Sequence, residues 1–241
     1  MNWFDSSLIS FLNYPAGRSW VLDNAVRAVS STHLTVEVLL MAYWWVWFHQ
    51  GSEASKNRTR ETVVASLIAV FVAVSLSMLL APAFPSYGRP IHADALPRLP
   101  FGVSPETTHI HAAFPSHHAL VAFVLVTGLL IVSRPIGLAA AIYAIVLVGV
   151  PPVYIGLHYP TDILGGALLG TAVAGVLNMS PVRNLVGGRA VAFATHQPAV
   201  FYGLAFMVTL QLATLFDDAV PFAHMLVAML RSLQPHALAG S

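Results

Sequence analysis

The sequence predicts an all-α integral membrane protein, a bundle of about six transmembrane helices, and three observations carry that expectation. Hydrophobic residues make up 57% of the 241-residue chain and charged residues only 9%, against about 25% charge in an ordinary soluble domain. So few charges cannot cover a water-facing surface of this size, and hydrocarbon is the solvent that removes the need. The apolar residues are also gathered into runs close to spanning length. Finally, the formal net charge is only +1, too small for the basic field of a phosphate-tracking nucleic-acid binder. Cysteine is absent, which excludes disulfides, thiolate ligands and a cysteine nucleophile.

Residues 1–30 mix Trp3, Phe4, Leu8, Ile9, Phe11 and Leu12 with Asp5, Arg18, Asp23 and Arg27. That pattern predicts an amphipathic N-terminal interfacial segment. A cleaved signal peptide is not expected, since its basic residues would precede a single apolar run. Residues 31–218 form the membrane domain, with apolar segments at about 33–49, 62–82, 117–133, 136–156, 162–179 and 198–216. Spanning takes about 20 residues at 1.5 Å rise each. The first segment is short and ends in Trp44, Trp45 and Trp47, rings suited to headgroup depth. Residues 50–61, with Lys56, Arg58 and Arg60, read as a polar connection. Residues 83–116 read as the long loop, rich in proline and histidine, and 219–241 as an amphipathic C-terminal tail.

Six crossings place the N-terminus, the long loop, the 157–161 turn and the C-terminus on one face. Lys56, Arg58, Arg60, Arg134, Arg183 and Arg189 fall on the other, against Arg18, Arg27, Arg89, Arg98 and Arg231 on the first, a small bias that grows if Arg89 is set aside as a site residue. Short basic loops stay in the cytoplasm, so the expected location is the inner (plasma) membrane, with the long loop facing the periplasm or exterior.

Polar groups collect on that outer face. His117 and His118 open the third segment in the string Phe114-Pro115-Ser116-His117-His118-Ala119. Serine suits a helix cap and proline a helix start, and a helix N-terminus is a natural anion site. His158 and Asp162 lie at the junction of the fourth and fifth segments, where Pro160 makes one unbroken helix unfavourable. A turn into a helix still lets Asp162 reach back to His158. Arg89 and Pro90 precede them on the same face. Singly, each histidine is an ordinary helix-end residue. Together the groups suit phosphoryl transfer: His158 as nucleophile, Asp162 fixing its tautomer, His118 as acid, and Arg89 as a fork for phosphate oxygens.

At these residues the chain resembles the type 2 phosphatidic acid phosphatase (PAP2) superfamily of membrane lipid phosphatases. That family shows a lysine seven residues before the arginine of an Arg-Pro pair, then Pro-Ser-Gly-His, then Ser-Arg with His six and Asp ten residues beyond the arginine. Arg89-Pro90 resembles the end of the first signature. Pro115-Ser116-His117-His118 resembles the second, with His117 at the glycine position. Val153 through Asp162, followed by Ile163-Leu164-Gly165-Gly166-Ala167, resembles the third. The likeness covers about residues 62–180. It implies a PAP2-like fold and a periplasmic or lumenal site that dephosphorylates a lipid phosphate or diphosphate. In the roles it implies, His158 is the nucleophile, Asp162 orients it, His118 is the general acid, and Ser116 and Arg89 bind phosphate.

Two positions depart from the signatures. Pro82 stands at the lysine position and Pro151-Pro152 at the Ser-Arg pair, so two cationic phosphate ligands are replaced by residues with neither charge nor donor. His117 and the loop histidines His92, His109 and His111 are candidates to restore positive charge when protonated. His117 and His111 join Arg89 and Ser116 as the expected substrate-binding set. No cofactor and no metal ligand is called for. An alternative is a divalent metal held by loop histidines with Asp94 or Glu106. The expected function is dephosphorylation of a membrane lipid phosphate or polyprenyl diphosphate through a phosphohistidine. The alternatives are a divergent head-group phosphotransferase or metal-dependent lipid enzyme, and a non-catalytic lipid-binding protein. Expected partners are the lipid substrate and the bilayer, with homo-oligomerisation left open and nucleic acid excluded.

Overall fold

The computed structural model of the protein describes residues 2–49, 52–80, 83, 88–93, 95–107 and 114–214. Among the described residues there are ten α-helices and no strand: α1 (Trp3–Leu12), α2 (Trp20–Ser31), α3 (Leu34–Trp47), α4 (Glu53–Leu80), α5 (His117–Val132), α6 (Arg134–Tyr143), α7 (Val150–Tyr154), α8 (Pro160–Leu177), α9 (Ser180–His196) and α10 (Pro198–Ala213). Three spans are long and apolar enough to cross a membrane: Glu53–Leu80, Arg134–Tyr154 and Pro160–Leu177. Three shorter apolar helices, α3, α5 and α10, stand at the remaining predicted segments. The predicted C-terminal tail, 219–241, lies outside the described residues.

Helix α5 is apolar on every side, which is the pattern of a central helix. Leu120, Val121, Val124 and Leu125 are fully buried, and α5 packs against α3, α4, α6 and α8. Its contact with α8 is the most extensive among the described residues, and small residues make it close. A Cβ added to Gly166 would lie 2.4 Å from the Ser116 carbonyl oxygen, and one on Gly170 would lie 2.4 Å from that of Leu120. Hydrocarbon gives no hydrophobic drive for helices to associate, so close backbone packing of this kind supplies much of the attraction.

The fourth predicted segment is continuous but not uniform. Residues Ala144–Gly149 form a π-helical stretch between α6 and α7, with the Val150 N–H donating to the Ile145 carbonyl. Pro151 and Pro152 follow it. Neither has an N–H, and their rings crowd the preceding turn, so the helix widens there.

One sequence expectation is corrected. The connection read at 50–61 is mostly helix, because α4 begins at Glu53 and runs 28 residues. At about 42 Å it exceeds the hydrocarbon core of about 30 Å. Residues 180–196, too polar to register as an apolar segment, form α9. It packs on the polar part of α4, with Arg183 Nε 3.7 Å from Glu61 Oε2. Residues 1–30 carry two helices, α1 and α2, and both rest against the α7–α8 region. Asp5, Asn13 and Asp23 are buried there, as described below.

The α5–α8 contact yields a paired expectation. Gly170→Ala should destabilise the protein in detergent by about 1–3 kcal/mol through overpacking against backbone. Gly175→Ala on the same helix meets nothing within 4 Å and should be neutral or slightly stabilising. Thermal unfolding of the two variants checks the pair.

Candidate active site

Backbone hydrogen bonds stitch three sequence-remote pieces together. The Ile91 N–H donates to the Gly156 carbonyl at 3.0 Å, which fixes the Arg89–Pro90 segment to the end of α7. Gly156 has φ +79°, a conformation that favours glycine, and its Cα faces the Leu96 and Ile91 side chains. The chain then reverses, with the Leu157 N–H donating to the Pro152 carbonyl at 2.8 Å. Tyr159 caps α8, and Pro160 occupies its first turn, where a missing N–H costs nothing. The Ser116 N–H donates to the Asp162 carbonyl at 3.1 Å, which ties the start of α5 to the start of α8.

These bonds bring His158, Asp162, His118, Ser116, His117 and Arg89 to one end of the bundle. Asp162 is 3% exposed. Its Oδ2 accepts from the Tyr159 N–H at 2.7 Å and lies 3.5 Å from His158 Nδ1. The second distance is an ion-pair contact, longer than a good hydrogen bond. Catalytic contacts of this kind commonly shorten when substrate binds. With Nδ1 facing the carboxylate, Nε2 is left for chemistry.

His118 is half-buried and lies within electrostatic reach of His158, His33, His117 and Arg89. Ser116 is fully buried and caps α5, its Oγ accepting from the Ala119 N–H at 3.5 Å. Arg89 is half-buried and faces Asp162. Burial pushes its guanidinium below the ordinary arginine value, and the charge of Asp162 partly offsets that. Its buried Nε has no hydrogen-bond partner among the described residues, so a donor is spare for an anion. His117 is exposed, and its Nε2 is 3.1 Å from Ser77 Oγ.

Pro151 and Pro152 are buried in α7, so no donor reaches the site from those positions. Pro82, Asp94, His109 and His111 lie outside the described residues. Among the described residues, no three His, Cys, Asp or Glu side chains gather as a metal-holding group.

Several residues near the site escaped sequence reasoning. His33, just before α3, lies close enough to His118 to feel its charge. The N-terminal helices contribute Asp5, Asn13 and Asp23, all buried. Asp23 accepts from the Gly17 N–H at 2.9 Å, the Phe101 N–H at 2.8 Å and the Tyr154 hydroxyl. Asn13 Nδ2 donates to the Tyr154 carbonyl at 3.0 Å, and its Oδ1 accepts from the Arg98 N–H at 3.0 Å. The available signal was carboxylates placed among aromatic and aliphatic neighbours, which must find partners when buried.

Residues 76–184 match the model of the PAP2 superfamily. All the residues converging here, from Arg89 to Asp162, fall inside that match. A protein of Escherichia coli (strain K12) named "Putative undecaprenyl-diphosphatase YbjG" is 29% identical over 168 residues. The alignment covers 68% of this chain and 76% of that protein. No solved structure matches the chain at a significant level.

The Asp23 node gives a pH-dependent expectation. Burial raises its carboxyl pKa, but the bonds from Tyr154, Phe101 and Gly17 outweigh burial and leave it below the ordinary value of 3.8. A folded pKa below the unfolded one contributes stability that is present above the unfolded value and lost as pH falls through the folded one. Thermal unfolding in detergent between about pH 6 and about pH 3 should show the wild-type midpoint falling more steeply than that of Asp23→Asn. The variant should start lower at neutral pH.

Proposed function

We propose that the protein is a multi-pass membrane lipid phosphatase that releases phosphate from a lipid phosphate or polyprenyl diphosphate through a phosphohistidine. The observation that carries this reading is the Ser116–Asp162 backbone bond, which sets the first turn of α5 beside the His158 turn. In the first step His158 Nε2 attacks phosphorus, the N–P bond forms, and the P–O bond to the lipid breaks. The leaving oxygen takes the proton of His118. Asp162, beside Nδ1, favours the imidazolium character that develops in the ring. In the second step water attacks phosphorus, neutral His118 takes its proton, and the N–P bond breaks to release phosphate. Arg89 and the first amides of α5 hold the equatorial oxygens, where most of the transition-state charge resides.

The lipid tail has a place beside this site. An apolar groove of about 480 Å³ runs between α1, the α6–α7 region and α8, lined in part by Phe4, Leu8, Val153, Ile163, Leu164 and Leu168. Ile163 adjoins Asp162, so a head group at His158 and a tail along α8 form one continuous path. The six apolar helices are the proposed crossings. The basic residues of α4 and α9 lie at the opposite end of the bundle, which supports assigning the site to the outer face of the plasma membrane.

The buried prolines at 151 and 152 favour a second reading, head-group transfer. With fewer cations to retain the released phosphate, the phosphoryl group of the same phosphohistidine passes to a lipid alcohol instead of water: the alcohol oxygen bonds phosphorus, the N–P bond breaks, and neutral His118 takes the alcohol's proton.

Purified protein incubated with phosphatidic acid, phosphatidylglycerol phosphate or undecaprenyl diphosphate should release phosphate from at least one of them. His158→Ala should abolish release. His118→Ala should lose about 10²–10⁴-fold on these lipids and much less on an aryl phosphate, whose phenolate departs without a proton. Release that persists in His158→Ala would overturn the phosphohistidine mechanism. A phosphorylated lipid alcohol as the main product would favour transfer.

A further inference from the structure

Helix α1 carries a buried carboxylate that is shared between its own cap residue and the start of α8. Asn2 caps α1, its Oδ1 accepting from the Asp5 N–H at 2.8 Å. Asp5 itself is 4% exposed and points across to the start of α8. Its Oδ1 accepts from the Thr161 N–H at 3.0 Å. Its Oδ2 accepts from the Thr161 hydroxyl at 2.9 Å and from Asn2 Nδ2 at 2.8 Å.

Thr161 is the second residue of α8, so its amide is one that no carbonyl of the helix can satisfy. Pro160 has no amide, and the Asp162 N–H donates to the Tyr159 carbonyl at 2.9 Å. A carboxylate at a helix N-terminus is also favoured by the helix dipole. Asp5 therefore sets the rotation of the first turn of α8 from a point 156 residues away. The residue it grips is the immediate neighbour of Asp162, whose carboxylate stands 3.5 Å from His158 Nδ1.

We infer that Asp5 is a positioning residue for the reaction: by holding Thr161 it fixes where Asp162 meets the His158 ring, and α1 is thereby part of the catalytic apparatus. Asp5 touches no reacting atom. Its effect falls on the chemical step, because a misplaced imidazole slows attack while the phosphate contacts of Arg89 and α5 are unchanged. This inference rests on the phosphatase reading above.

The test compares wild-type full-length protein with Asp5→Ala, Asp5→Asn and Thr161→Val in detergent, on whichever of the three lipids the wild type hydrolyses. Asp5→Ala should lower kcat about 10–100-fold with KM changed by less than about threefold. Asp5→Asn keeps the shape and one acceptor, and should recover most of the loss. Thr161→Val keeps the amide bond and should lose only a few fold. If Asp5→Ala does not fold, the other two variants carry the same split at smaller amplitude. A kcat equal to wild type in all folded variants overturns the positioning role and leaves the phosphatase reading standing. So does a loss confined to KM. A wild type that releases no phosphate from any of the three lipids overturns both.

Discussion

Everything at the end of this bundle that carries His118 and His158 depends on how closely α5 approaches α8. Gly166 and Gly170 remove the side chains that would hold the two backbones apart, and the Ser116 N–H can then reach the Asp162 carbonyl. That single bond sets the spacing between His118, on the first turn of α5, and His158, just ahead of α8. A methyl group at either glycine would meet backbone atoms rather than a yielding side chain. The packing of two apolar helices and the geometry of a polar site are therefore one constraint.

The polar side chains of the N-terminal helices serve the same end from the other side. Asp5 holds Thr161, Asn13 holds the Tyr154 carbonyl, and Asp23 gathers Gly17, Phe101 and the Tyr154 hydroxyl. Tyr154 and Thr161 flank the turn that carries His158. Each buried carboxylate has several donors, which is the condition for burying charge without a large desolvation penalty. The turn is thus clamped by α5, by the Arg89 segment through Ile91, and by α1 and α2.

Much of this was legible in the sequence because hydrocarbon imposes a simple rule. The six apolar runs appeared as six apolar helices, since composition alone decides where such helices can lie. His118, His158, Asp162 and Arg89 were legible as polar groups gathered at helix ends on one face. Helix α9 was not, because Arg183, Asn184 and Arg189 break its hydropathy and only packing on α4 reveals it. The first nine residues of α4 were hidden in the same way. Asp5 and Asp23 could be seen as charges in apolar surroundings, yet their partners lie far away in the chain, and no local pattern names them. Pro151 and Pro152 were read only as the loss of phosphate ligands; the widened helical turn at Ala144–Gly149 depends on which carbonyls find new donors, and no local pattern gives that.

The central claim is that His118 and His158 act on one phosphorus atom. Orthovanadate mimics the five-coordinate phosphorus of the transition state, so an experimental structure of the vanadate complex tests it most directly. Vanadium bonded to His158 Nε2, with His118 within hydrogen-bonding distance of the apical oxygen opposite, is the predicted result. Vanadate bound away from His158, or the two rings more than about 8–9 Å apart around it, would contradict the account.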